Sequence, residues 1–167
     1  MNHTPFMREA LALAEAALES GDFPVGCVIV HRGAIVARGR RTSSANGLSN
    51  EIDHAEINAL RRLDPRISPE ARREMIVYAT MEPCLMCFAA ILLSGLRQIV
   101  YAFEDPMGGG TACDRSVLTP LYRDVDLALT PGVMRPESLA LFQRFFLNPD
   151  NRYWKDSPLA RYTLSAR

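Results

Sequence analysis

His54-Ala55-Glu56 and Pro83-Cys84-Leu85-Met86-Cys87 are the two stretches of this chain whose side chains are spaced for chemistry. Cys84 and Cys87 are three apart, which on a helix puts them one turn apart on one face. Two thiolates from one turn can hold a single Zn²⁺, and His54 can supply a nitrogen as third ligand. Three protein ligands leave the fourth tetrahedral position for water. Water on such a metal is acidified toward neutrality, so a hydroxide nucleophile becomes available. Glu56, two residues past His54, is placed to move protons rather than to bind metal.

A lone C-x-x-C is shared by redox motifs and structural zinc sites. The upstream H-A-E and the proline directly before Cys84 narrow the reading, because H-x-E followed by P-C-x-x-C is the pattern of zinc deaminases acting on nucleobases. From about Met7 to about Phe146 the chain resembles the cytidine and deoxycytidylate deaminase superfamily, most closely its branch of bacterial tRNA adenosine deaminases and guanine deaminases. A rival reading makes the protein non-catalytic, its zinc closed by a fourth thiolate from Cys27 or Cys113.

The resemblance implies an α/β fold: a three-layer α/β/α sandwich around a five-stranded mixed sheet, with both metal motifs at helix N-termini. It implies that the backbone N–H of Ala55 helps bind the attacking oxygen, that the backbone carbonyl of Glu82 faces the departing ammonia, and that Val25 lines the pocket. Asp105 is a further candidate for substrate binding. The family also implies a homodimer. Relatives that act on tRNA usually carry an Asn two residues after a G-x-G turn; here Gly39-Arg40-Arg41 puts Arg41 there and leaves Asn46 or Asn50 to make the contact. They also tend to end in a basic helix, whereas this chain has Phe145-Phe146-Leu147-Asn148-Pro149-Asp150. Both departures favour a free nucleobase or small nucleoside with a purine-type amino group, with tRNA adenosine as the alternative.

The elements that must position these residues follow from hydrophobic pattern and turn chemistry. Thr4 reads as an N-cap, Pro5 as the first helical residue and Gly21 as the stop, with Phe6, Ala10, Leu13, Ala14 and Ala17 on the apolar face. Residues 25–31 and 34–38 read as strands joined by a tight Arg32-Gly33 hairpin. Residues 39–53 are a polar loop leading into His54, where a helix begins that carries Ala59, Leu60 and Leu63 inward and ends before Pro65. Residues 65–74 read as a charged connection, 75–79 as a buried strand, and 83–93 as a helix stopped by Ser94-Gly95. Residues 98–103 form the next strand, and 104–107 with the three following glycines a mobile loop. That loop lacks the Lys-Ser/Thr of a phosphate-binding P-loop. A short helix at 118–122 would let a strand at 125–129 run parallel to its predecessor, and 136–146 reads as the final helix. Residues 1–147 are then the deaminase domain and 148–167 a tail, with Tyr153, Trp154 and Tyr162, that packs on the domain or on a dimer partner.

Composition fits this reading. The 167 residues suit one domain with a real core, and 48% hydrophobic with 23% charged residues is ordinary for a soluble protein. Nineteen basic and nineteen acidic side chains cancel, so no overall basic excess draws in nucleic acid phosphate. With no membrane-length apolar run and no signal-peptide core, the expectation is a cytoplasmic protein with reduced cysteines, Cys27 buried in a strand. His3 and His31 lack ligating neighbours and read as surface residues.

Overall fold

A computed structural model of the chain describes residues 2–45 and 50–166. In chain order the elements are α1 (Thr4–Glu19), β1 (Gly26–His31), β2 (Ala34–Arg40), α2 (Ala55–Leu60), α3 (Pro69–Arg73), β3 (Ile76–Met81), α4 (Leu85–Leu93), β4 (Gln98–Phe103), α5 (Pro120–Arg123), β5 (Ala128–Thr130), α6 (Arg135–Leu147) and α7 (Pro158–Ser165). The strands form one five-stranded sheet in the order β2-β1-β3-β4-β5. β2, β1 and β3 pair antiparallel, while β3, β4 and β5 pair parallel, so the sheet is mixed.

Strand alternation sorts the core onto two faces. Cys27, Ile29, Val77, Ile99 and Phe103 point to the side where Ala55 and Ala59 of α2 and Phe88 and Ile91 of α4 pack. Val28, Val30, Tyr78 and Val100 point to the opposite side, against Met7, Ala10 and Ala14 of α1 and Leu141 of α6. The result is helix, sheet, helix. β3 is buried along its whole length, as its continuous apolar run requires for a central strand covered on both faces. Arg32 (φ 49°) and Gly33 (φ 82°) both take positive φ, the two-residue hairpin geometry that matches strand twist. Gly39 has a packing reason instead: a Cβ there would lie 2.1 Å from the Ala55 carbonyl oxygen. Its missing side chain lets the start of α2 press directly onto β2.

Several boundaries differ from the sequence reading. The cap of α1 is His3, and Thr4 lies inside the helix with its N–H donating to Asn2 Oδ1. His3 and His31 are half-buried rather than on the surface: His3 Nδ1 is 3.0 Å from the Tyr78 hydroxyl, and His31 Nε2 is 3.5 Å from Glu74. The expected connection at 65–74 contains α3, capped by Ser68 Oγ accepting from the Ala71 N–H. β5 is shorter than expected and starts at Ala128, because the Val125 carbonyl is taken by the Arg115 guanidinium at 2.9 Å rather than by a strand partner. α6 is not the last helix. Ser157 caps α7 through the Ala160 N–H, and Leu159, Ala160 and Thr163 are buried, with α7 packed on α6. Glu104, at the end of β4, fastens this tail by bonding both Arg135 at 2.8 Å and the Tyr162 hydroxyl. Among the described residues no helix is long and apolar enough to cross a membrane.

Candidate active site

The chain leaves β3 at Met81 and reaches the N-terminus of α4 within three residues, so Cys84 is the N-cap of α4 and Cys87 its third residue. Cys84 therefore has extended backbone (φ −63°, ψ 168°) and is not on the helix proper, unlike the one-turn, one-face arrangement expected from spacing. His54 is likewise the N-cap of α2, with Ala55 and Glu56 its first two residues. Both motifs thus sit at helix N-termini, where free N–H groups and the helix dipole favour negative charge.

His54 Nδ1 lies 3.5 Å from Cys84 Sγ and 3.4 Å from Cys87 Sγ. A tetrahedral zinc with Zn–N about 2.0 Å and Zn–S about 2.3 Å separates nitrogen from sulfur by about 3.5 Å. The donor set and its spacing fit zinc, and the three ligand atoms all lie within 4.8 Å of one another. The Cys84 thiol is drawn down to about 4, chiefly by its hydrogen bond with Cys87, which together with the smaller pull of His54 outweighs partial burial. Burial lowers the His54 imidazole, but the Cys84 sulfur and the Glu56 carboxylate outweigh it and the net shift is upward. Glu56 is buried, with Oε2 3.6 Å from Cys87 Sγ, and burial raises its carboxyl above the ordinary range. A buried carboxyl beside an open metal position is the arrangement for proton transfer.

A cavity of about 250 Å³ opens above this cluster. His54, Glu56 and Cys84 contribute to its lining, as do Val25, Ala55, Glu82 and Asp105, all expected from sequence. Cys87 is fully buried behind them. Asn46 lies outside the described residues, and Asn50 does not line the cavity: its side chain bonds Asp53 and the Ile52 N–H within its own loop. Arg41 does line it and is only 1% exposed. Its Nη1 donates to the Asn50 carbonyl at 2.7 Å, its Nη2 to Glu51 and to the Tyr153 hydroxyl at 3.3 Å each, and its Nε is buried with no partner among the described residues.

The Glu82 side chain has a role that the sequence did not suggest. Its carboxylate accepts from the Asp105 N–H at 3.1 Å and from the Thr111 N–H and hydroxyl, while the Gly110 N–H donates to the Pro83 carbonyl. The glycine loop expected to be mobile is thereby pinned against the metal-binding turn. Asp105 shapes the same loop by accepting from Met107 and Gly108. Glu51, Tyr153 and Trp154 complete the cavity wall and were not identified as site residues from spacing. Trp154 takes φ 52°, an uncommon conformation for a bulky residue, in the turn that lays the tail over the cavity.

Comparison with known proteins agrees with this geometry. Residues 1–103 match the cytidine and deoxycytidylate deaminase zinc-binding region. A tRNA-specific adenosine deaminase of Agrobacterium fabrum is 38% identical over 144 residues, covering 86% of this chain and 93% of that protein. One from Streptococcus pyogenes serotype M18 is 31% identical over 144 residues, covering 86% and 89%. Among solved structures, one from a study of A-to-I editing by tRNA:A34 deaminases superposes with TM-score 0.69 at 30% identity, covering 83% of this chain and 99% of that one. A guanine deaminase from Nitrosomonas europaea superposes with TM-score 0.67 at 22% identity, covering 83% and 81%, a likeness of fold.

Cys27 and Cys113 stand outside the ligand cluster, Cys27 in β1 and Cys113 packed against the core. The purified protein should therefore carry one zinc per chain by metal analysis. Cys113→Ser should keep that content, and Cys87→Ser should abolish it. Loss of zinc in Cys113→Ser would establish the closed, structural site instead.

Proposed function

The chain belongs to the cytidine and deoxycytidylate deaminase family, and on that premise we propose that it hydrolyses the exocyclic amino group of an adenine ring, with adenosine in tRNA as the substrate. The observation that carries this reading is the pairing of a three-ligand metal cluster with buried Glu56, in a chain 31% and 38% identical to tRNA-specific adenosine deaminases over 86% of its length. His54, Cys84 and Cys87 would hold the zinc, which when bound would acidify a water and so provide the nucleophile. Glu56 would take one proton from the attacking water and pass it to the ring nitrogen, then carry the second proton from the newly added hydroxyl to the amine, so that a C–O bond replaces the C–N bond and ammonia leaves. Ala55 occupies the first position of α2, where a backbone N–H has no intrahelical acceptor, and it holds the incoming oxygen. The Glu82 backbone carbonyl receives the ammonia, and Val25 and Asp105 bound the ring.

A second reading, a free purine base or small nucleoside, is favoured by one specific feature. Buried Arg41 and the tail residues Tyr153 and Trp154 line the cavity and leave a wall of one guanidinium and two aromatic rings, suited to a small ring. A small substrate needs a closed pocket with stacking and edge hydrogen bonds, whereas a folded RNA needs several phosphate contacts and binds in a salt-sensitive way.

Substituting Glu56→Ala should leave zinc at one per chain and reduce turnover by about 10²-fold or more. Loss of zinc or persistence of activity would remove Glu56 from its role. Inosine formation in an anticodon stem-loop, assayed beside adenosine, adenine and guanine, should be the fastest reaction and should weaken steeply with added salt. Turnover of a free base or nucleoside with an inert stem-loop would establish the second reading.

The family reading carries a homodimer as well. Leu85 and Leu93 on α4, with Val117 and Leu121 nearby in sequence order around α5, are large apolar side chains left exposed on the single chain, and α4 touches α5. Sedimentation should give twice the chain mass, and Leu93→Glu should shift it toward the monomer. A wild-type protein that stays monomeric at micromolar concentration would exclude the dimer.

A further inference from the structure

The reaction as derived leaves Glu51 without a part, although its carboxylate stands beside the free edge of the metal-binding histidine. His54 turns Nδ1 toward the two sulfurs, at 3.4 and 3.5 Å, so Nε2 is the nitrogen left over. Glu51 Oε2 lies 3.9 Å from that Nε2, within ion-pairing distance. Metal-bound imidazoles are commonly oriented by donating their second N–H to a carboxylate, which fixes the tautomer and raises the basicity of the ligating nitrogen.

Glu51 is not held by its own backbone, since it lies in an irregular loop and its side chain is 48% exposed. Two other groups hold it. Arg41, almost fully buried and anchored on the Asn50 carbonyl, donates Nη2 to Glu51 Oε2 at 3.3 Å. The Tyr153 hydroxyl, from a residue 102 positions further along the chain, donates to the same oxygen at 2.8 Å. The Tyr153 ring is itself fixed, with centroids 5.4 Å from Phe23 and 6.4 Å from Phe145, and its N–H donates to Asn151 Oδ1.

We propose that Glu51 is a positioning residue for His54, and that Tyr153 of the C-terminal segment and Arg41 of the loop before α2 together aim its carboxylate. The metal centre then extends beyond the three ligands and Glu56 to the segment following α6. This rests on the zinc reading of the site and is independent of which substrate is deaminated. A merely structural role, in which Glu51 only neutralises Arg41, would leave the metal unaffected.

The test reads the metal directly. Zinc affinity is measured by competition with a chromogenic chelator for wild type, Glu51→Ala, Glu51→Gln and Tyr153→Phe, and the visible absorption of the cobalt-substituted proteins is recorded in parallel. Glu51→Ala should bind zinc about 10- to 100-fold more weakly and shift the cobalt bands. Glu51→Gln, whose amide oxygen can still accept, should recover part of the loss, and Tyr153→Phe should show a smaller loss in the same direction. Tyr153→Phe removes a single oxygen and carries the test if Glu51→Ala fails to fold by circular dichroism. Affinities within twofold of wild type and unchanged cobalt bands in Tyr153→Phe and Glu51→Gln, together with any folded Glu51→Ala, would overturn the proposal. A wild type that binds zinc tightly but deaminates nothing would defeat the functional reading and leave this one standing.

Discussion

The convergence of two helix N-termini on one point governs the rest of the molecule. His54 caps α2 and Cys84 caps α4, thirty residues apart, yet their ligand atoms must come within about 3.5 Å for one metal to bridge them. α4 is the crossover between the parallel strands β3 and β4, so its N-terminus lies at the C-terminal end of β3. Open α/β sheets commonly place their sites in that crevice. α2 has no such connection to guide it. Its position comes from packing on β1 and β2, and the close approach at Gly39 is what brings its first turn down to the sheet.

Bringing those termini together creates an electrostatic problem. Glu56 and two cysteines are crowded in a largely buried volume, and burial alone disfavours every negative charge there. Helix N-termini and a bound cation offset this on the metal side. Beside His54, a guanidinium with 1% exposure is matched by Glu51 and by the Asn50 carbonyl, since an unpaired buried charge would cost several kcal/mol. The glycine loop is handled in the same way. The Glu82 carboxylate accepts from backbone N–H groups of residues 105 and 111, which turns a segment with little side-chain mass into a fixed wall.

The C-terminal segment shapes the cavity as much as the residues between the motifs do. Phe23 collects Phe142, Phe145, Phe146 and Tyr153 around it, and this aromatic cluster brings the tail back to the mouth of the site. Glu104 clamps α7 from the other side through Arg135 and Tyr162. In a chain so similar to tRNA-specific adenosine deaminases, the cavity beside the metal cluster is thus bordered by an arginine and two tail aromatics.

By itself the sequence determined the chemistry and the layered fold. Metal ligation and proton transfer need particular atoms, and His54, Cys84 and Cys87 as ligands and Glu56 as proton carrier announce them by type and by short spacing within two motifs. The buried strands were legible for a similarly local reason: an uninterrupted apolar run such as Ile76–Met81 can be satisfied only between two covered faces. Tertiary structure alone decided that Arg41 faces the cavity, that Asn50 does not, that Glu51 borders His54, and that Tyr153 meets Glu51 across 102 positions. In an irregular segment no periodicity assigns a side chain to a face, so its direction is settled by partners that are distant in sequence. The same reason hid the short helices α3 and α7 and the late start of β5, where side-chain caps and the Arg115–Val125 bond outweigh local preference.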